Sequence, residues 1–191
     1  YKGGRYAHGT SFQQVAHENY INAFARWKGL VPGIKTLVYF HCFIDVTDEG
    51  PERYADARLL QADGTQACYG EPYDRIYVPT AENSYGPEIA KNVDIILNKI
   101  GADGVYWDEH EYSRFTYTYN EPWDGCTGDI DPKSMSVSRL KSSVTLLSEP
   151  WRLALARNIL ARGPLIGNGP PFTRAMAALK FPCFVETGSI T

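Results

Sequence analysis

Apolar residues recur along this chain in two periods, and the switches between them predict its elements. After Ser11, the stretch FQQVAHENYINAFARWKG (12–29) puts Phe12, Val15, Ala16, Tyr20, Ala23, Phe24 and Trp27 at helical spacing, closed by Gly29 and Pro32-Gly33. The run IKTLVYFHCFIDV follows, rich in β-branched and aromatic residues and apolar almost throughout. It predicts a strand over 36–44, and the continuity predicts burial on both faces. PEIAKNVDIILNKIG (87–101) is a second helix, with Ile89, Val93, Ile96, Leu97 and Ile100 on one face, Pro87 at its start and Gly101 at its end. A strand over 104–108, GVYWD, comes directly after it. The helix WRLALARNILARG (151–163) leads to a strand over 164–167, and a shorter helix over 172–180 leads to a strand over 182–186.

Helix followed by strand, repeated, implies an α/β protein with parallel strands joined by helical crossovers. The connections are unequal. Helix-to-strand joints are short, whereas residues 46–84 and 112–147 are long excursions after strands, the first with turn chemistry at Ala62-Asp63-Gly64-Thr65. A (β/α) barrel of the TIM type carries its long loops and its active site after the strands. The competitor is an open doubly wound sheet, which usually has a glycine-rich first turn, and no GxGxxG occurs here. The expected fold is therefore a (β/α) TIM-barrel type of which about four βα units are visible. A full barrel has eight in about 250 residues, and the sequence stops just after a strand. Residues 1–191 are expected to be a single catalytic domain or a fragment of one, with the remainder of the barrel supplied by the same or another chain.

Composition narrows the partners. With 43% hydrophobic and 21% charged residues the chain is of globular type, with no internal repeat or low-complexity linker in its sequence. A net charge of −3 makes no electrostatic case for nucleic acid or an anionic membrane surface, and no apolar run reaches the roughly 20 residues that span a bilayer. The 13 Tyr and 4 Trp suit sugar-binding surfaces, and also ordinary cores. The four cysteines form no CxxC pair, so a zinc ribbon is not expected. Cys42 and Cys183 sit in apolar runs and read as buried thiols. Cys68 and Cys126 lie in loop-like sequence where pairing stays open.

The chemistry gathers where the strands give out. The first offers His41 and Asp45, the second Asp108, Glu109, His110 and Glu111, the third Asn168, and the fourth Glu186. Any one of these alone reads as a helix cap or a solvated loop residue. Four strands repeating the placement is hard to attribute to capping.

Residues Ile34 to Tyr112 resemble the third-to-fourth strand region of barrel glycoside hydrolases of the α-galactosidase-like superfamily. The likeness rests on YADARLLQADGTQ, with its D-x-x-G-type turn, and on ILNKIGADGVYWDE, a helix leading into a strand that ends in Asp. The resemblance implies a TIM barrel, a carbohydrate substrate, no cofactor, and a nucleophilic aspartate at Asp108. That family usually has Asp as acid/base on its sixth strand, whereas this chain offers Glu186. The adjacent Asp108-Glu109 also resembles the DE pair of hexosaminidase-type barrels, which use substrate-assisted chemistry.

Glycosidic cleavage by itself asks for two carboxyls with different duties. One is ionised, to attack or to stabilise positive charge; the other keeps its proton through burial or a like-charged neighbour. Asp108 is expected as nucleophile or stabiliser, and Glu186 or Glu109 as acid/base, with retention of configuration. Neighbouring residues on a strand point to opposite faces, so Glu109 shares the site only if the chain bends at 108. His41, Asp45, Trp107, His110, Glu111, Tyr112 and Asn168 are the expected substrate contacts, with no metal. Core packing competes for Tyr106 and Trp107. The alternatives are a metal-dependent hydrolase using the DEHE cluster, although its spacing matches no HExxH, and a non-catalytic carbohydrate-binding barrel.

Overall fold

The computed structural model describes residues 8–185. The middle of the long apolar run forms β1 (Leu37–His41), GVYWD forms β2 (Gly104–Asp108), and β3 (Leu165–Asn168) and β4 (Cys183–Phe184) follow. They make one sheet in the order β1-β2-β3-β4, every neighbouring pair parallel, with Tyr39 opposite Tyr106 and Tyr106 opposite Ile166. The α/β class and the parallel alignment of all four predicted strands are therefore observed.

The helices that return the chain between these strands are α2 (Tyr85–Asp94), which continues through a wider turn at Ile95–Lys99, α3 (Val144–Leu160) and the short α4 (Arg174–Ala177); α1 (Glu18–Leu30) precedes β1, and a single helical turn, Gly50–Arg53, lies in the first excursion. Alternation sorts the strand residues. Val38, Phe40, Val105, Trp107 and Leu165 are buried in one apolar cluster with Ile89, Val93, Ile96 and Ile100, and with Trp151, Leu155 and Ile159 of α3. Trp107 meets Phe40 edge-on at 5.3 Å and Trp151 at 6.2 Å. Burying each large side chain contributes about 1.5–3 kcal/mol, so this layer orients the sheet. Leu37, Tyr39, Tyr106 and Ile166 point to the other face. They are only half-buried and lie outside the cluster.

Several expectations need correction. The apolar run is not one strand buried on both sides. It leaves the sheet after His41, and Ile44–Asp45 pair antiparallel with Arg75–Ile76. Cys42, Phe43, Ile44 and Val46 are buried under the first excursion, with the rings of Tyr54, Tyr77 and Tyr85 within 5.0–5.8 Å of one another. One apolar run serves two layers. Residues 12–17 are not in the first helix: Gly9–Gln14 is a 3-10 turn and α1 starts at Glu18. Asp45 causes this, because its Oδ2 accepts from the Thr10 amide at 2.6 Å and the Thr10 hydroxyl at 2.7 Å. Gly9, at φ +66°, passes so close that a Cβ would overlap the Asp45 carboxylate.

The third long helix starts seven residues before the predicted Trp151, because Ser143 caps it by accepting from the Leu146 amide. The last predicted helix shrinks to α4. The second excursion folds back through Tyr117–Thr118 on Ser142–Ser143 and Gly128–Ile130 on Val137–Leu140. The cysteines are free thiols: Cys42 is buried as expected, whereas Cys183 is exposed at the edge strand and Cys126 is exposed in its loop.

Candidate active site

Asp108 ends β2, the strand flanked by β1 and β3, on the less covered face of the sheet. Both neighbours hold it. The Tyr39 hydroxyl donates to Oδ2 at 2.8 Å, and Asn168 Nδ2 donates to Oδ1 at 2.7 Å. Burial and the adjacent carboxylate push the Tyr39 phenol far up, so it stays a proton donor. His8 Nε2 lies 3.2 Å from the same hydroxyl.

The chain does bend after Asp108. Glu109 adopts φ +46°, a left-handed conformation that an L residue takes at some cost. The bend turns its carboxylate to the rim. Phe43 and Ile44 amides both donate to His41 Nδ1 at 3.2 Å, which leaves the ring proton on Nε2, pointing at Glu109 Oε2 3.1 Å away. Ser113 donates to the same oxygen at 2.5 Å and Tyr69 to Oε1 at 3.3 Å. Burial pushes the Glu109 carboxyl up, but the donors His41 and Ser113 outweigh it and hold it below the usual range. His41, buried itself, positions Glu109.

The next two residues turn inward. His110 is buried, with Nδ1–H donating to the Asn168 carbonyl at 3.1 Å and its ring edge-on to Phe181 at 5.4 Å. The ring lies over Gly167, where a Cβ would stand 2.9 Å from Nδ1. Burial pushes its pKa down to about 4, with a smaller push from Arg152. Glu111 pairs with Arg152 Nη1 at 2.7 Å and accepts from the Phe172 amide at 3.2 Å. Burial raises its carboxyl in spite of that cation. Arg152, from the middle of α3, is fully buried and also donates to Ser148 Oγ, the His110 carbonyl and the Thr145 carbonyl at 2.9, 3.2 and 2.6 Å.

A cavity of about 280 Å³ opens at this rim, walled by Glu109, Glu111, Tyr112, Asn168, Phe172 and their neighbours. Asp108 stands beside that wall, bonded to Asn168. The structure thus brings together Asp108, Glu109, His41, Glu111, Tyr112 and Asn168. It does not bring His41, Asp45, Trp107 or His110 to the cavity wall; His41 is buried behind Glu109 and holds it. Asp45 is fully buried, taken up by Thr10 and Thr47, Trp107 lies in the helix-side core, and His110 supports the turn from below. The expectation that these four touch a ligand gives way to structural and positioning roles. Glu186 lies outside the described residues.

Sequence reasoning missed Tyr39, Tyr69, Ser113, Arg152 and Phe172. Tyr39 was within reach, because it stands two residues before His41 on the same strand face. Tyr69 carried no local signal. Among the described residues no group of three or more His, Cys, Asp and Glu is arranged to hold a metal ion. No protein-family model matches this sequence, and no curated protein is significantly similar to it.

Proposed function

We propose that the protein is a glycoside hydrolase built on a (β/α) barrel, with Asp108 as nucleophile or charge-stabilising carboxylate. One observation carries this: Asp108 and Glu109 stand side by side at the carboxyl end of an inner parallel strand, both in hydrogen-bonded settings, beside an aromatic-walled cavity. Supporting the barrel, the four strands follow chain order without the reversal that marks a doubly wound sheet. The carboxylates share a face with half-buried Tyr39, Tyr106 and Ile166, a face that further strands of a barrel, from this chain or another, would enclose.

Asp108, held by a phenol and an amide, is positioned to attack the anomeric carbon or stabilise the oxocarbenium-like state. Glu109 accepts from three donors and is held ionised, which is the wrong state for protonating a leaving group. The acid/base role is therefore assigned to Glu186, two residues past the last residue of β4. Glu109 adds negative charge beside the reacting centre, and Tyr112 and Phe172 offer ring faces to the sugar.

The test is Asp108→Asn assayed on a panel of aryl glycosides, with azide added to seek rescue. Turnover falls by several orders of magnitude while the melting curve is kept, and azide restores part of it. Wild-type turnover in Asp108→Asn removes the assignment; absence of turnover in the wild type, with sugars still bound, favours a non-catalytic carbohydrate-binding barrel.

A further inference from the structure

The cavity beside Glu109 does not end at its aromatic wall. Tyr112 and Phe172 stack at 5.7 Å with their rings 27° apart, and the same pair borders a second depression of about 380 Å³ reaching Thr116, Tyr117, Ser143 and Thr145. Thr116 and Tyr117 in turn border a third, of about 260 Å³, between Gln61-Ala62 of the first excursion and Arg114–Tyr119 of the second. Shared walls make these one groove leading away from Asp108. Phe172 is 58% and Tyr117 45% exposed. Tyr117 is not loose. Lys141 Nζ covers its ring at 4.1 Å and is itself paired with Asp129 at 2.7 Å.

The chemistry of the walls selects the occupant. The depressions, of about 280, 380 and 260 Å³, each lie near the low end of the roughly 300–1,000 Å³ of a small-molecule pocket, and their arrangement in a row suits a ligand that is a chain of small units. Among the described residues the first two are bordered by aromatic rings, hydroxyls and the carboxylates Glu109 and Glu111, with no lysine or arginine on their walls; the third has one cation, Arg114. That combination disfavours anionic chains and suits units with an apolar ring face and hydroxyl edges. We infer that the groove binds a neutral oligosaccharide of at least three sugar units, with Phe172 and Tyr117 as stacking platforms for the sugars beyond the bond that is cut. The inference rests on the carbohydrate reading above and adds the chain length.

The experiment measures binding rather than turnover, so the two readings fail separately. Full-chain Asp108→Asn is titrated by calorimetry with neutral ladders (cello-, xylo-, manno-, malto- and galacto-oligosaccharides) from mono- to pentasaccharide. Affinity for one ladder is expected to climb through the trisaccharide. Tyr117→Ala and Phe172→Ala each lower affinity for the tetrasaccharide by roughly 2- to 10-fold, as expected for losing one aromatic stacking partner, and flatten the climb. Tyr117→Phe keeps the ring and keeps the climb, which separates stacking from loss of fold. Affinity that does not grow with length, or no binding from any ladder, overturns the groove even if aryl glycosides are hydrolysed. A climb with length in a protein whose wild type hydrolyses nothing overturns the glycosidase instead.

Discussion

Arg152→Met is the sharpest test of how the candidate site is held. The arginine is fully buried and bonds three groups besides Glu111: Ser148 Oγ, the His110 carbonyl and the Thr145 carbonyl. Methionine fits the volume but leaves Glu111, 3% exposed, as a buried carboxylate without its cation. Removing one partner of a buried ion pair costs about 3–5 kcal/mol, most of it from the charge left behind. The sign with pH follows. Burial already raises the Glu111 carboxyl in the native protein, and losing Arg152 raises it further, whereas the unfolded value stays near the ordinary 4.3. The variant is therefore closest to wild type below that ordinary value and loses stability as pH rises through the folded one. Urea unfolding followed by tryptophan fluorescence reads this directly, with Trp151 next to Arg152 in α3. Adding Glu111→Gln to Arg152→Met should recover much of the loss, and the double-mutant cycle should show strong coupling. An Arg152→Met protein within about 1 kcal/mol of wild type at pH 7 would refute the argument, because the pair would then behave like an exposed one.

Other outcomes follow from the same geometry. His110, pushed from the ordinary 6.5 to about 4, makes the native state lose roughly 3 kcal/mol as pH falls between those values, because the unfolded chain takes up the proton first; His110→Gln should flatten that part of the urea-midpoint profile, and an unchanged slope would count against a buried neutral ring. His41→Ala removes a donor that keeps Glu109 ionised, so the acidic limb of the kcat/KM pH profile should move to higher pH, and a limb that stays put would show that Glu109 does not set it. Gly167→Ala drives a methyl to 2.9 Å from His110 Nδ1 and 2.8 Å from Phe181, an overpacking expected to cost about 1–3 kcal/mol in thermal or urea unfolding; a neutral result would mean the His110 ring is not fixed there.

What was legible in the sequence was local. β1, β2 and β3 are short apolar runs next to helical repeats, and a parallel sheet with long loops after its strands follows from that alternation. The packing within the first excursion was not legible because Tyr54, Leu59-Leu60 and Ile76-Tyr77-Val78 are short, widely separated apolar pieces among polar residues, and their convergence with Phe43 and Ile44 is a tertiary fact. Pro150, a residue that favours a helix start, stands just before the predicted start at Trp151, whereas α3 begins at Val144. The helix carries the proline in its interior, where it has no amide to give to the Leu146 carbonyl one turn back. Arg152 gave only a faint sign, a cation inside WRLALA, and nothing local connects it with Glu111 41 positions earlier.

The DEHE stretch shows why the candidate site could be located but not apportioned. In a continuing strand, Asp108 and His110 would share one face and Glu109 and Glu111 the other. The left-handed residue at 109 breaks that alternation. It sends Glu109 to His41 and Ser113 at the rim beside Asp108, and the following turn drops His110 and Glu111 onto Gly167 and Arg152. Four consecutive ionisable groups are thereby split into two carboxylates at the rim and a buried pair that supports the turn, of which Glu111 also borders the cavity. Left-handed backbone at a glutamate has no signature in composition or spacing, and it persists because the donors from His41 and Ser113 hold the carboxylate in place. The division of roles is thus decided by one backbone angle and by Arg152, a side chain from a helix that the site's own sequence does not contain.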